Sequence, residues 1–243
     1  MKLDRIIAVR NTKTVYRDSD KCIKSFISGY SKTDILNEAY NLAMIEETGL
    51  NTPELIEVTR IDGKWSIVTE FIKGKTLSQL MKEFPDKKDE YLKLFVETQI
   101  TIHEKSCPAL IKQRDILNRN IIQCELDANT RYDLYNRLER MPRHTKLCHG
   151  DFCPSNIIID DEGISHVIDW SHAAQGNASA DAAETYLMFW MNGDISGAQR
   201  YLDLFCELSG IDKEYIIEWM PLVAAAKTLK CNEKQKEFLL SWI

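Results

Sequence analysis

The run Cys148-His149-Gly150-Asp151-Phe152-Cys153-Pro154-Ser155-Asn156, followed by Ile157-Ile158-Ile159 and then Val167-Ile168-Asp169-Trp170, decides how this chain folds. His149, Asp151 and Asn156 fall in one short polar loop. The three isoleucines after it predict a strand, and Ile164 to Ile168 predict a second. Asp160-Asp161-Glu162-Gly163 between them is turn chemistry. A two-residue hairpin loop at Glu162-Gly163 sets Asn156 directly opposite Asp169, with Cβ atoms about 5 Å apart. A longer loop slips the register by a residue or two and leaves both groups at the same hairpin end. An amide oxygen and a carboxylate so placed form a hard-oxygen site suited to Mg²⁺. Asp151 is then spare, and a carboxylate beside a metal-bound phosphate can accept the proton of a hydroxyl.

Working outward, the chain of 243 residues allows one large domain or two small lobes around a shared cleft. A hydrophobic fraction of 44% supports a substantial core. The net charge of −6 argues against a nucleic-acid footprint, which needs a basic patch. The seven cysteines follow no framework spacing, so free thiols in a reducing compartment are expected. Cys148 and Cys153 with His149 lack the second ligand pair that a zinc tetrahedron needs. Met1 to Arg10 is too short and too charged for a signal peptide. No apolar run approaches a membrane span, and a cytoplasmic location is expected.

Towards the N-terminus, residues 4–10, 14–17 and 22–26 read as three short strands with tight turns between them, an antiparallel meander. In the third, Cys22, Lys24 and Phe26 share a face by the period of two. Lys24 is therefore either an inward, paired ammonium or a solvated edge lysine. Ser31 to Glu47 predicts a helix with Ser31 or Thr33 as cap and Gly49 past its end. Glu38 sits in its apolar stripe with Ile35, Leu42 and Ile45, and an acid there should be paired. Glu46 and Glu47 read as solvated. Residues 55–59 and 65–69 read as further strands. The period changes to about 3.6 from residue 77, with helices expected at 77–84, 87–105, 112–125, 129–140, 181–192, 196–209, 213–228 and 232–241.

The spacing His149-x-Asp151-x-x-x-x-Asn156, with Asp169 on the returning strand, resembles the catalytic and metal-binding loops of the protein-kinase-like superfamily. The wording His-Gly-Asp and Ile-Asp-Trp is similar to its small-molecule branch, the aminoglycoside phosphotransferase and choline kinase-like family. The resemblance implies an α+β, bilobal protein-kinase-like fold. A small antiparallel sheet with one helix would form a nucleotide-binding lobe over 1–72, and a larger helical, catalytic and substrate-binding lobe would cover 73–243. It further implies Mg²⁺-dependent transfer of the γ-phosphate of ATP or GTP to the hydroxyl of a small molecule. Asp151 would be the catalytic base, His149 would brace the loop, and Asn156 and Asp169 would hold the metal. Lys24, steadied by Glu38, would neutralise phosphates. The backbone of Glu70, Phe71 and Ile72, in a run ending Gly74-Lys75-Thr76-Leu77 that resembles the family's hinge, would meet the nucleobase, with Gly74 as a flexible joint.

Arg10-Asn11-Thr12-Lys13-Thr14 departs from the pattern, because the loop that usually covers the phosphates carries no glycine here; Thr12 and Lys13 offer side-chain donors instead. That departure motivates the alternative of a non-catalytic nucleotide-binding protein of the same fold. Ile102-His103 resembles a Leu-His pair of the phosphotransferases, and His103 is read as structural. Ser171 to Ser179 leaves no room for a regulatory segment. Asp181 is either a brace for the catalytic loop or a plain helix-start acid. Glu184, Asp194, Trp170 and Trp190 are the nearest acids and aromatics for a cationic acceptor.

Overall fold

The computed structural model describes Leu3 and residues 5–243. The first position of the strand expected over 4–10 lies outside them. In chain order, β1 (Arg5–Val9), β2 (Lys13–Asp18) and β3 (Lys21–Phe26) precede α1 (Lys32–Glu46), β4 (Leu55–Ile61), β5 (Lys64–Glu70) and β6 (Gly74–Thr76). Helices α2 (Leu77–Glu83), α3 (Lys88–His103), α4 (Gln113–Gln123) and α5 (Ala128–Arg140) follow. Next come β7 (Lys146–Cys148), β8 (Ile157–Asp160), β9 (Ser165–Val167) and β10 (Ala174–Gly176). The last elements are α6 (Ala178–Met191), α7 (Ile195–Ser209), α8 (Lys213–Lys227) and α9 (Glu233–Leu240). Two compact units divide the chain, Met1–Pro85 with Pro154–His172, and Asp86–Cys153 with Ala173–Ile243.

In the first unit an antiparallel sheet runs in the order β1-β2-β3-β5-β4. Helix α1 covers it because Ile35 and Ala39 share one helical stripe and close, with Phe26 and Ile67, a buried cluster. Ser31 starts the helix by accepting a hydrogen bond from the Asp34 N–H at 3.2 Å. Glu46, expected to be solvated, is not: its carboxylate accepts from the Leu55 N–H at 2.7 Å and fixes the entry to β4.

A second, three-stranded sheet in the order β6-β8-β9 completes this unit. Its register corrects the expected hairpin. Ile157 pairs with Val167, Ile158 with His166 and Ile159 with Ser165. Asn156 therefore stands opposite Ile168, whose N–H it accepts at 2.9 Å, and not opposite Asp169. The cause is Asp160. Its Oδ1 accepts from the N–H groups of Glu162 (2.9 Å) and Ile164 (2.8 Å), which makes the loop three residues long. Gly163 closes that loop at φ +84, a conformation glycine adopts without penalty. Gly74 is likewise not a flexible joint. It pairs with Asp160 in the sheet, and a Cβ there would run into the Ile159 carbonyl.

The second unit is mainly helical, with α6 packed on α7 and α8, and α3 on α7. Phe95 stacks on Phe152 with ring centroids 4.4 Å apart and meets Tyr201 edge-on at 5.9 Å. Strand β10, inside the segment 171–179, pairs with β7 and sets Ala174 opposite Cys148, so the chain entering the His149 loop is tied to the chain leading into α6.

Candidate active site

Four charged side chains converge in the first unit. Lys24, in the centre of β3, donates to Glu38 Oε1 at 2.6 Å and to Asp169 Oδ1 at 3.2 Å. Lys13, at the start of β2, lies 3.2 Å from each Asp169 oxygen and 3.6 Å from Glu38 Oε1. All four side chains are between 11% and 23% exposed, so their attraction is screened far less than at a free surface. Burial by itself would lower the affinity of Lys24 for its proton, but Asp169 and Glu38 outweigh it and hold that ammonium above its ordinary range. Burial would likewise raise the Asp169 carboxyl, but Lys24 and Lys13 prevail and keep it well below the usual carboxylate range. Two positive and two negative groups leave the cluster neutral.

Backbone geometry aims Asp169. Strand pairing sets Asn156 across from Ile168, so alternation alone would send the next side chain to the other face. Asp169 has φ +65, which breaks the alternation at that residue. Helix α1 holds the segment that follows: Asn41, three residues after Glu38 on the same face, donates to the Trp170 carbonyl at 3.0 Å. Asn156 is buried in the turn immediately before β8. Among the described residues no group of three His, Cys, Asp or Glu side chains stands at ligating distances. One carboxylate and one amide could hold an ion only together with oxygens from outside the chain, and Mg²⁺ usually takes most of its ligands from phosphate and water. The two ammoniums already drawn to Asp169 show that this carboxylate attracts cations.

At the expected hinge, the Glu70 N–H donates to the Glu54 carbonyl at 2.9 Å and the Phe71 N–H to the Asp20 carbonyl at 2.8 Å. Phe71 also carries the Arg17 guanidinium over its ring at 4.0 Å. Of the three N–H groups, only that of Ile72 has no partner among the described residues.

The second unit carries His149 and Asp151. Asp181, in the first turn of α6, accepts from the Gly150 N–H at 2.8 Å and the His149 N–H at 3.3 Å. It also lies 2.9 Å from His103 Nε2 and 3.3 Å from Gln99 Nε2. Asp181 is therefore a brace for the loop, not a plain helix-start acid. Its burial would raise the carboxyl, but His103 and the Gly150 N–H hold it below its ordinary value. His149 is fully buried, and its Nδ1 accepts from the Asp151 N–H at 3.2 Å. That contact puts the proton of a neutral imidazole on Nε2. Tyr201 donates to Gln99 at 2.6 Å, and Gln99 also donates to Thr185 at 3.1 Å, so the brace is itself held. Burial pushes the Cys148 thiol well above its ordinary value.

The residues considered for a cationic acceptor are already engaged. Glu184 pairs with Lys227 at 2.7 Å, and Asp194 caps α7 and binds Lys88 at 3.0 Å. Trp170 is buried, and Trp190 stacks flat on Phe238 with centroids 3.5 Å apart. The contacts of Lys13 and Asn41 with residues near 169, and the Gln99–Tyr201 link, were beyond sequence reasoning. The one signal was the spacing of Glu38 and Asn41 on a single helical face.

A model of the phosphotransferase enzyme family matches residues 9–216. No curated protein matches the chain. Among solved structures, an aminoglycoside-3'-phosphotransferase of type VIII superposes with a TM-score of 0.65 at 16% identity, covering 91% of this chain and 93% of that one. A thermostable mutant of aminoglycoside phosphotransferase APH(4)-Ia, in ternary complex with AMP-PNP and hygromycin B, gives 0.69 at 13% identity, covering 98% and 90%. Choline kinase LicA from Streptococcus pneumoniae gives 0.61 at 16% identity, covering 100% and 93%. The α+β architecture is thus that of kinase-like phosphotransferases.

Proposed function

Since the chain belongs to the phosphotransferase enzyme family, we propose that it moves the γ-phosphate of ATP or GTP to a hydroxyl of a small molecule, an aminoglycoside or amino alcohol, with Mg²⁺. The observation that carries this reading is the Lys24 ammonium held between Glu38 and Asp169. A loose phosphoryl transition state spreads charge over its oxygens, so fixed counter-charge and positioning supply most of the catalysis. Lys24 binds the non-transferring phosphates, and Glu38 keeps its ammonium oriented. Asp169 and Asn156 would hold Mg²⁺, which supplies counter-charge to phosphate oxygens when bound. The Ile72 N–H is the donor left for the edge of the base. Asp151 orients the acceptor hydroxyl and takes its proton, worth about a hundredfold or more in rate. His149 is a positioning residue: with Nδ1 committed to the Asp151 N–H, it shapes the loop around the base. We assign nucleotide handling to residues 1–72, and catalysis and acceptor binding to 73–243.

The test is thermal shift with Mg·ATP and Mg·GTP, then nucleotide turnover across a panel of aminoglycosides and amino alcohols. Asp151→Ala should bind Mg·nucleotide as the parent does and transfer at least about a hundredfold more slowly. Lost nucleotide binding in a folded Asp151→Ala protein would count against this division of roles. The glycine-free turn at 10–14 favours one second reading, a nucleotide-binding protein without transfer. Tight nucleotide binding with no turnover on any acceptor would establish it.

A further inference from the structure

Asp169 carries two ammoniums, and they are not equivalent. Lys24 is anchored elsewhere, at 2.6 Å from Glu38. Lys13 stands 3.6 Å from Glu38 and is bound mainly by the two Asp169 oxygens, 3.2 Å each. Its position in the chain is specific. Lys13 closes the turn between β1 and β2, where the Arg10 N–H donates to the Lys13 carbonyl at 2.9 Å. That turn is the one without glycine. A main chain bearing Cβ atoms approaches a phosphate less freely, whereas a lysine on a four-carbon stem reaches one as a point charge.

Charge decides what happens when the site fills. The cluster is neutral with both lysines on Asp169. A divalent cation taking that carboxylate adds two positive charges, and an ammonium beside a metal ion is repelled. Repulsion then favours the departure of one lysine, and Lys13, the one held more loosely by Glu38, leaves at lower cost. We propose that Lys13 is a movable counter-ion. It occupies Asp169 while the site is empty and passes to the phosphates of an incoming nucleoside triphosphate, in place of a main-chain cradle. The inference rests on the nucleotide-binding reading above and adds a residue to it.

The test uses the full chain with Lys13→Met, Lys13→Gln and Lys13→Arg beside the parent. Each variant's fold is checked by circular dichroism. Binding of Mn²⁺ alone is followed by electron paramagnetic resonance, and binding of ATP in the presence of EDTA by a fluorescent analogue. Removing the ammonium should tighten Mn²⁺ roughly threefold to tenfold, since a competing charge is gone. It should weaken metal-free ATP about tenfold, the size of one charged hydrogen bond. Lys13→Arg keeps the charge and should stay near the parent in both. A purely structural Lys13 would lower thermal stability and move neither affinity. Unchanged Mn²⁺ affinity in the folded Met or Gln variant overturns the proposal, as does Lys13→Arg behaving like Lys13→Met. A parent protein that binds no nucleotide would instead sink the phosphotransferase reading. A parent that binds ATP while Lys13→Met binds it equally well sinks only the role of Lys13.

Discussion

At the scale of single residues, Asp169 joins backbone strain to electrostatics. Its φ of +65 costs an ordinary residue roughly 1–2 kcal/mol. It persists because the surroundings over-determine it: the Ile168 N–H is fixed on Asn156, and the Trp170 carbonyl on Asn41. Asparagine tolerates the left-handed conformation and removes only the charge. Asp169→Asn should therefore fold, lose about 1–3 kcal/mol as Lys24 and Lys13 give up an acceptor, and transfer no phosphate. Asp169→Ala should be about 1 kcal/mol less stable again, because its Cβ resists that conformation without a compensating hydrogen bond. Urea unfolding of the pair separates strain from charge; equal stabilities would show that the conformation stores nothing. The Lys24–Glu38 pair was legible in sequence because strand alternation and helical periodicity put each on an apolar face. The contact of Lys13 with Asp169 was not, since it joins residues 156 positions apart and no local rule reaches that far.

At the scale of elements, the β8–β9 hairpin shows where local reading stops. Both strands could be read from their isoleucines and valine, but their register depends on Asp160. A two-residue loop and a three-residue loop both fit Asp160-Asp161-Glu162-Gly163, and the side chain of Asp160 selects the longer by accepting two N–H groups. Asp160→Ala should lower the urea midpoint, whereas Asp160→Asn keeps an oxygen at the same reach and should recover most of the loss. An alanine variant as stable as the parent would mean that the strands set the register without the turn. The three-residue strands β6, β7 and β10 were invisible for a related reason: three residues carry no alternation to detect. The long helices and the order of the main strands were legible, because each repeats its period several times.

At the scale of the whole molecule, the proposed roles divide between two compact units, and nucleotide and acid should bear on them differently. Lys24, Glu38, Asn156 and Asp169 belong to the first unit, Asp181 and its donors to the second. Nucleotide should act on the first, where its proposed ligands lie. At a hundred times its Kd it adds about 2.7 kcal/mol to the bound state, which should raise Tm by about 5–10 °C for a chain of this size. Acid acts on the first through Asp169, whose carboxyl is held well below its ordinary range, and on the second through Asp181. Its folded carboxyl is held below the ordinary value, so the stabilisation is fully present above the unfolded value of about 3.9. It is lost as pH falls from there through the depressed folded value. Asp181→Asn should cost about 3–5 kcal/mol near neutrality, because the buried His149 N–H and the half-buried Gly150 N–H lose their charged acceptor. Its stability should also fall less steeply below pH 4, by at most about 1.4 kcal/mol per pH unit relative to the parent. Tryptophan reports the location: Trp65 and Trp170 lie in the first unit, Trp190, Trp219 and Trp242 in the second. Variants with phenylalanine at one set or the other should show acid moving both signals, and nucleotide moving at least that of Trp65 and Trp170. An Asp181→Asn protein with the parent's acid slope would remove Asp181 as the origin of that sensitivity.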